Sequence, residues 1–448
     1  MKISPAWRVY MLGAMLLVAM IICSRNFVDR GGPHFMAALT VAGIAYLLAI
    51  REFFRGRGPI RLRSGQVRAT QRFPRHFVVL GLILAAVWHV AFLRLPPGAD
   101  DDVHRYVWDG RLQRLGYNPY IVVPSDPAIK GLHTPETRDL NNQNLPSPYP
   151  AGAQLFFRAV TAIHESTFAL KLAFVICDFG IALMLLDLLR TSGRGAHLVL
   201  AYAWDPLLAI EVAGSGHIDI VGALLLVISF AALARRWRAI AALTFGLAVA
   251  VKFLPIVLLP LYWKRVRIRD AALAAVVVAL LYLPFVDHGH IPLGSLGAYV
   301  QGFRFNGPVF AVLHYVAPPQ LLVGLAVLAG LATAIWLRRA SLNLSPDKFA
   351  WPMAASLLFA PVVFPWYLLW LLPFLAFGST PLIIVAVWSV SIIPVYIQWH
   401  SRTLTGVWGP LPAWIMAVEY GCVAVAAAIM ALRRIRRPAV QFSANGAV

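Results

Sequence analysis

The sequence predicts an all-α polytopic membrane protein of about twelve transmembrane helices plus one re-entrant hairpin. Composition is the first reason: 60% of the 448 residues are hydrophobic, 13% are charged, and the mean hydropathy is +0.72. A soluble chain of this length carries about twice that share of charge. The second reason is where the basic residues lie, in short loops between apolar runs, which is the arrangement that orients membrane helices. The third is a single long polar interval, 96–166, that interrupts the apolar pattern and concentrates unusual chemistry.

Apolar runs fall at 9–24, 35–50, 77–95, 167–189, 196–212, 218–234, 271–285, 319–337, 349–363, 367–379, 380–398 and 411–432. Each is near the length a helical crossing requires, with 367–379 the weakest. Lys2 and Arg8 precede the first run and no small-residue cleavage site follows it, so that run reads as a retained signal anchor. With the N-terminus inside, the loops at 51–76, 190–195, 235–238, 263–270, 338–348 and 433–437, with the N-terminal segment, hold 26 of the 39 Lys and Arg residues. Both ends of 239–262 are basic, so this apolar segment enters and leaves on the same side, as a hairpin of two half-helices with Lys252 near its apex. The segmentation is therefore an N-terminal helix pair and basic loop (1–76), a catalytic module (77–310), C-terminal helices (311–437) and a disordered tail (438–448). Both termini face the cytoplasm.

The net charge of +20 does not point to nucleic acid, because no soluble basic domain carries it. Cys23, Cys177 and Cys422 lie within predicted spans as small hydrophobes, and no disulfide framework is implied.

The loop 96–166 is the longest external segment, with two interfacial helices expected in it, and loops of such length are functional more often than idle. It opens with DDDVHRYVWDGRLQRLGYNPY (100–120). Asp100 or Asp101 is placed to cap a helix from Asp102 to Leu115, with Gly116 as its stop. On that helix Asp102, Arg105, Tyr106 and Asp109 share one face. Adjacent carboxylates repel unless something relieves them, and one near a bilayer edge suits a general base toward a hydroxyl; a solvated loop rim is the plainer alternative.

Lys252, at mid-membrane depth, must be paired or hydrated. A lipid-linked phosphate is one partner; a structural pair with Asp178, Asp205 or Glu211 is the other. His217 and Asp219, in GSGHID, are placed to meet sugar or phosphate, with helix capping by Asp219 as the competing role. Two such donors without a third make a poor metal site. Tyr149, Trp366 and Tyr367 stand near the external interface, where aromatic residues also gather simply as a belt. Arg304, His400 and Arg402 are external cations able to clamp phosphate. Asp178 lies within a span and is expected to be satisfied internally.

Taken together, DDVHRYVWDGR…GYNPY, YPAGAQ, DPLL…GHID, VKFLP and FPWYLLWLLP resemble the motifs of polyprenyl-phosphate-mannose-dependent α-mannosyltransferases of the GT-C superfamily of integral-membrane glycosyltransferases. The resemblance spans residues 77–435 and departs at Tyr149-Pro150-Ala151, where the family usually has Tyr-Pro-Pro. It implies a GT-C-like fold and a catalytic aspartate in the first large external loop, here Asp102 or Asp101. It also implies inversion at the anomeric carbon, with a polyprenyl-phosphate sugar as donor and a glycolipid or glycan as acceptor.

The expected function is hexose transfer, mannose foremost, at the external or periplasmic face of the cytoplasmic membrane. Asp102 takes the acceptor proton; Lys252 with Arg105, Arg304 or Arg402 holds the donor phosphate; Tyr106, Asp109, Tyr149, His217, Asp219, Trp366 and Tyr367 bind sugar or acceptor. No cofactor is called for, and a divalent metal stays open. The rival expectation is a transporter or lipid flippase with a midplane site at Asp178 and Lys252.

Overall fold

Helices account for nearly all regular structure in the computed structural model, which describes residues 4–55, 73–98, 101–138, 140–287, 292–378 and 382–435. The arginine-rich stretch 56–72, Asp100 and the tail 438–448 lie outside the described residues. Among the described residues there is no β-strand, only isolated bridges joining Phe305 and Asn306 to Val362.

Three long helices come first: α1 (Pro5–Arg25), α2 (Pro33–Phe54) and α3 (Arg75–Leu93). The start of α1 is set by Ser4, whose hydroxyl accepts the Trp7 amide, with Pro5 supplying the fixed φ a first turn tolerates. The polar interval then forms two shorter helices packed on each other, α4 (Asp102–Arg114) and α5 (Ala151–Ile163). Gly116, at φ +84°, ends α4 as its left-handed stop. The cap differs from expectation: Asp101 is at the N-cap position, but its carboxylate turns away from the helix amides to Gly98 N and Arg30.

After α6 (Thr167–Thr191), the apolar run 196–212 is not one straight helix. A short helical piece through α7 (Leu200–Ala203) meets a π-helical turn, Leu208–Gly214, at a bend of 65°. Asp205-Pro206 breaks the run: the proline lacks an amide and disfavours helix in the residue before it. Next come α8 (Asp219–Ala234) and α9 (Arg238–Val251), closely packed. At Lys252 the backbone is extended, with φ −158° and ψ 142°. A 3-10 turn (Leu254–Leu258) and α10 (Leu259–Tyr262) follow, so α-helical structure stops and restarts across 252–258, with Pro255 in the 3-10 turn and Pro260 at the start of α10.

The remainder comprises α11 (Ile268–Tyr282), α12 (Leu296–Gly302), α13 (Pro308–Leu313), α14 (Pro319–Ala340), α15 (Asp347–Phe359), α16 (Ile383–Ser391), α17 (Ile397–Thr405) and α18 (Ala413–Ile435). The run expected as a crossing at 367–379 is instead two 3-10 turns, Pro365–Trp370 and Leu372–Phe377, each begun by or around a proline and both deeply buried. Among the described residues eight helices are long and apolar enough to cross a membrane, or nine if the bent pair counts as one. Many of their large apolar side chains face outward, such as Ile83, Ile176, Leu183 and Leu328, which a lipid solvent makes favourable. This is a multi-pass membrane protein. The free cysteines are buried (Cys23), half-buried (Cys177) and exposed (Cys422), the last on the outward face of a candidate span.

Candidate active site

Three segments distant in sequence converge on the N-terminal end of α4. Residues 211–219 arrive through the π-helical turn, Lys252 from the end of α9, and Trp366, Tyr367 and Trp370 from the first 3-10 turn. A backbone pairing brings the last segment in: Phe305 N donates to Pro361 O at 2.9 Å, and Val363 N to Phe305 O at 2.8 Å.

Asp102 occupies the first turn of α4 and keeps 21% of its side chain exposed. Its Oδ1 accepts from Asn141 Nδ2 at 2.8 Å, and its Oδ2 stands 3.9 Å from His217 Nδ1. The neighbouring carboxylates are differently occupied. Asp101 is buried, bridged to Arg30 at 2.8 Å and bonded by the Gly98 amide at 2.6 Å. Asp109, fully buried, pairs with Arg105 at 3.1 Å and accepts from Ser147 (2.5 Å) and Gln154 (2.9 Å). Burial raises its carboxyl above the ordinary value, against the pull of Arg105 and the two hydrogen bonds.

Asp219 is buried at the start of α8 and holds Lys252 Nζ with both oxygens, at 2.7 and 2.9 Å. Trp370 Nε1 donates to the same carboxylate at 2.7 Å. The Lys252 ammonium also lies over the Tyr367 ring, 3.9 Å from its centroid, and Tyr367 shares a 2.7 Å hydroxyl hydrogen bond with Tyr299. Tyr106 and Tyr149, in edge contact at 5.0 Å, complete the wall. Burial pushes the Tyr106 phenol well up, and the charges of Asp102 and Asp219 push it further, so both carboxylates act on this ring. Tyr149 is shifted the same way by burial and then by Asp102. The centre is thus a carboxylate with amide and imidazole neighbours, an ammonium clamped by a second carboxylate, and aromatic faces close to both.

The structure brings together eight of the expected residues: Asp102, Tyr106, Tyr149, His217, Asp219, Lys252, Trp366 and Tyr367. It does not bring in the others. Arg105 is buried and spent on Asp109 and on the carbonyls of Asn142 and Leu145, which leaves it unavailable to phosphate. Asp109 is likewise enclosed, away from any sugar. Asp101 is neutralised by Arg30, a poor position for a base. Arg304 is exposed and lies over Phe310, Arg402 lies over Trp408, and His400 bonds Asp29 at 2.6 Å. Lys252 has Asp219 as its partner rather than Asp178, Asp205 or Glu211. Asp178 instead meets His89 Nε2 at 3.0 Å and the Tyr202 hydroxyl, so Asp178 and Lys252 are engaged with different partners. Asp219 does not cap α8; it serves Lys252 and Trp370.

Several residues here carry no local sequence signal. Arg30 sits in a turn between α1 and α2, Glu211 lies 3.0 Å from His217 Nε2 within the π turn, and Trp370 and Tyr299 join from far along the chain. Among the described residues no three His, Cys, Asp or Glu side chains are grouped to hold a metal ion.

The family model described as alpha-(1→6)-mannopyranosyltransferase, N-terminal domain, matches residues 24–266, which is 243 of the 448 residues. The chain belongs to this family. The family recognised from the motifs is the one that matches, and the protein is a membrane-embedded glycosyltransferase of the mannosyltransferase type. The matched region holds Asp102, His217, Asp219 and Lys252, whereas Tyr299, Trp366, Tyr367 and Trp370 lie beyond it. None of the curated proteins compared matches the chain. Among solved structures it is similar to ArnT from Cupriavidus metallidurans bound to undecaprenyl phosphate, at 16% identity over 81% of this chain and 72% of that one, with a TM-score of 0.45.

Proposed function

We propose that this mannosyltransferase-family protein moves a hexose, mannose foremost, from a polyprenyl-phosphate donor to a hydroxyl of a glycan or glycolipid, with inversion. The observation that carries the reading is the contrast among the carboxylates of the centre. Asp101, Asp109 and Asp219 each have an Arg or Lys partner, while Asp102 has only uncharged or weakly basic neighbours, the Asn141 amide, the Tyr149 phenol and the His217 imidazole, and remains part-exposed. A base needs just that freedom.

In this reading Asp102 takes the acceptor proton as the acceptor oxygen attacks the anomeric carbon. The bond from that carbon to the phosphate oxygen breaks, and the phosphate leaves with the electron pair. Lys252 meets the growing negative charge on the phosphate, exchanging Asp219 for it. Tyr149 and Tyr367 offer ring surface to the sugar, with Tyr106, buried and stacked on Phe157, backing Tyr149. The 239–262 segment acts as a re-entrant hairpin, with both termini inside and the centre on the external face.

The test is transfer of radiolabelled mannose from polyprenyl-phosphate-mannose to membrane glycolipids by purified wild type and Asp102→Asn. The expected result is transfer by wild type and a loss of about 10²- to 10⁴-fold in the variant, with donor binding retained. Equal transfer by both would remove Asp102 as the base. No transfer by wild type, with other lipid-linked sugars also silent, would overturn the donor assignment.

A further inference from the structure

His217 is buried and both of its ring nitrogens lack a hydrogen bond. A buried donor or acceptor left unmade costs about 1–3 kcal/mol, so two on one ring call for an explanation. The ring's surroundings supply it. Nε2 stands 3.0 Å from Glu211 Oε2, off the hydrogen-bond line, and that oxygen is itself unsatisfied. Nδ1 faces Asp102 Oδ2 at 3.9 Å. Glu211, 1% exposed, is fixed through its other oxygen by the Tyr396 hydroxyl. One face of the imidazole stacks on Trp366, centroids 3.8 Å apart at 10°, and Trp366 stacks in turn on Phe364 at 4.3 Å. Gly216, at φ +78°, makes the turn that delivers the ring, and a Cβ there would lie 2.9 Å from Lys171 Cγ.

We infer that Glu211, His217 and Asp102 form a proton relay, His217 acting as a positioning residue that turns Asp102 and then receives its proton. The relay rests on the proposed role of Asp102. Glu211 can only accept when ionised, so it selects the tautomer with hydrogen on Nε2 and leaves Nδ1 bare toward Asp102. Asp102 removes the hydroxyl proton of the acceptor during transfer. As the ring and carboxylate close from 3.9 Å to bonding distance, that proton passes to Nδ1. The result is an imidazolium between Glu211 and an ionised Asp102, its charge also facing the Trp366 ring. The departing phosphate or water then takes the proton, and the relay is restored. No atom is left over: one proton leaves the acceptor and one reaches phosphate or solvent. Other charged groups nearby are already engaged, Arg30 with Asp101 and Lys252 with Asp219, and Lys171 donates to the carbonyls of Phe92 and Leu95.

Two measurements test the relay independently. The first is ¹⁵N resonance of the full-length protein labelled at histidine, in nanodiscs without substrate, with His217→Gln used to assign the signal. The expected spectrum has hydrogen on Nε2, and Glu211→Gln mixes the tautomers. Hydrogen on Nδ1, or a tautomer indifferent to Glu211→Gln, overturns the relay. The second is transfer kinetics for wild type, His217→Gln and Glu211→Gln. We expect kcat to fall about 10- to 100-fold in both variants with KM for the donor held within about twofold. The proton inventory in H₂O/D₂O mixtures, curved for wild type, should become linear in His217→Gln. A role confined to packing would raise KM or lower the unfolding midpoint with the proton inventory unchanged, and that result overturns the proposal. If wild type transfers nothing from any lipid-linked sugar, the donor assignment fails, and the tautomer measurement still decides the relay.

Discussion

Replacing Asp219 by Asn should lower stability and raise donor affinity together. Lys252 Nζ sits 2.7 and 2.9 Å from the two Asp219 oxygens. At such a separation the gross attraction is about 6 kcal/mol for an effective dielectric near 20. Desolvation offsets much of that, yet removing one partner of a buried pair typically costs about 3–5 kcal/mol, because the other charge is stranded. Here the lower end applies: Lys252 keeps 22% of its side chain exposed and can be rehydrated, and Tyr367 still faces the ammonium. Asn still accepts from Trp370 Nε1, so the loss is of charge more than of shape. We therefore expect Asp219→Asn to lose about 3 kcal/mol in chemical unfolding of the purified protein. Polyprenyl phosphate, no longer competing with a carboxylate for Lys252, should bind about tenfold tighter, equivalent to about 1.4 kcal/mol. Both quantities are measurable on one preparation, by denaturant titration and by ligand depletion in nanodiscs. A fall in affinity in step with stability, or an affinity that does not change, would refute Lys252 as the phosphate cation.

Two further substitutions test the supports of the site. A methyl group at Gly222 would lie 2.0 Å from Trp370 Cη2, so Gly222→Ala must push the indole away and loosen its bond to Asp219. The cost expected from overpacking is about 1–3 kcal/mol, seen as a lower denaturant midpoint, and an unchanged midpoint would mean the indole has room to move. At Asp109 the folded carboxyl is raised above its ordinary 3.8 by burial, so folding favours the protonated form. Its contribution is complete below the unfolded value and is lost as pH rises through the folded one. The stability difference between wild type and Asp109→Asn should therefore move in favour of the Asn variant as pH rises above about 4. A difference constant over that rise would contradict the burial argument.

The helix that frames the site was readable because its signals are local. The i, i+3, i+4, i+7 set on α4 and the glycine at 116 predict its face and its end to within a residue. What spacing does not carry is which side of that face is wet. Arg105, Tyr106 and Asp109 are on the predicted face, but α5 and the 142–147 segment cover it, so only Asp102 at its outer end retains access. Lys252 stood out because a charge within an apolar run is rarely idle, yet its partner is 33 residues away on another helix, beyond any periodicity. Glu211 and His217 meet through a π turn, a register that neither the 3.6 nor the 2 residue repeat anticipates. The run at 367–379 shows a related limit. Its hydropathy suits a crossing, but Pro365 and Pro373 turn it into buried 3-10 pieces, and burial in protein looks the same as burial in lipid from composition alone.

The distribution of the site between the two parts of the chain bears on specificity. The proposed base, its imidazole neighbour and the proposed phosphate cation all fall within residues 24–266, the stretch that matches the family model. Within the aromatic wall Tyr106 and Tyr149 also lie in that stretch, but the rings against Lys252 and His217, Tyr367 and Trp366, and their companions Tyr299 and Trp370 lie outside it. Ring faces contribute shape and stacking over a large area, whereas proton transfer and charge neutralisation depend on a few atoms held to within fractions of an ångström. A division of this kind lets the wall change with acceptor while the acid–base core stays in register. The rings are nevertheless tied to the core: Tyr367 lies on the ammonium, Trp366 on the imidazole, and Trp370 bonds the carboxylate that holds Lys252. Substitutions in the wall are therefore felt by the chemistry as well as by binding, and a variant that redirects the acceptor has to leave those three contacts in place.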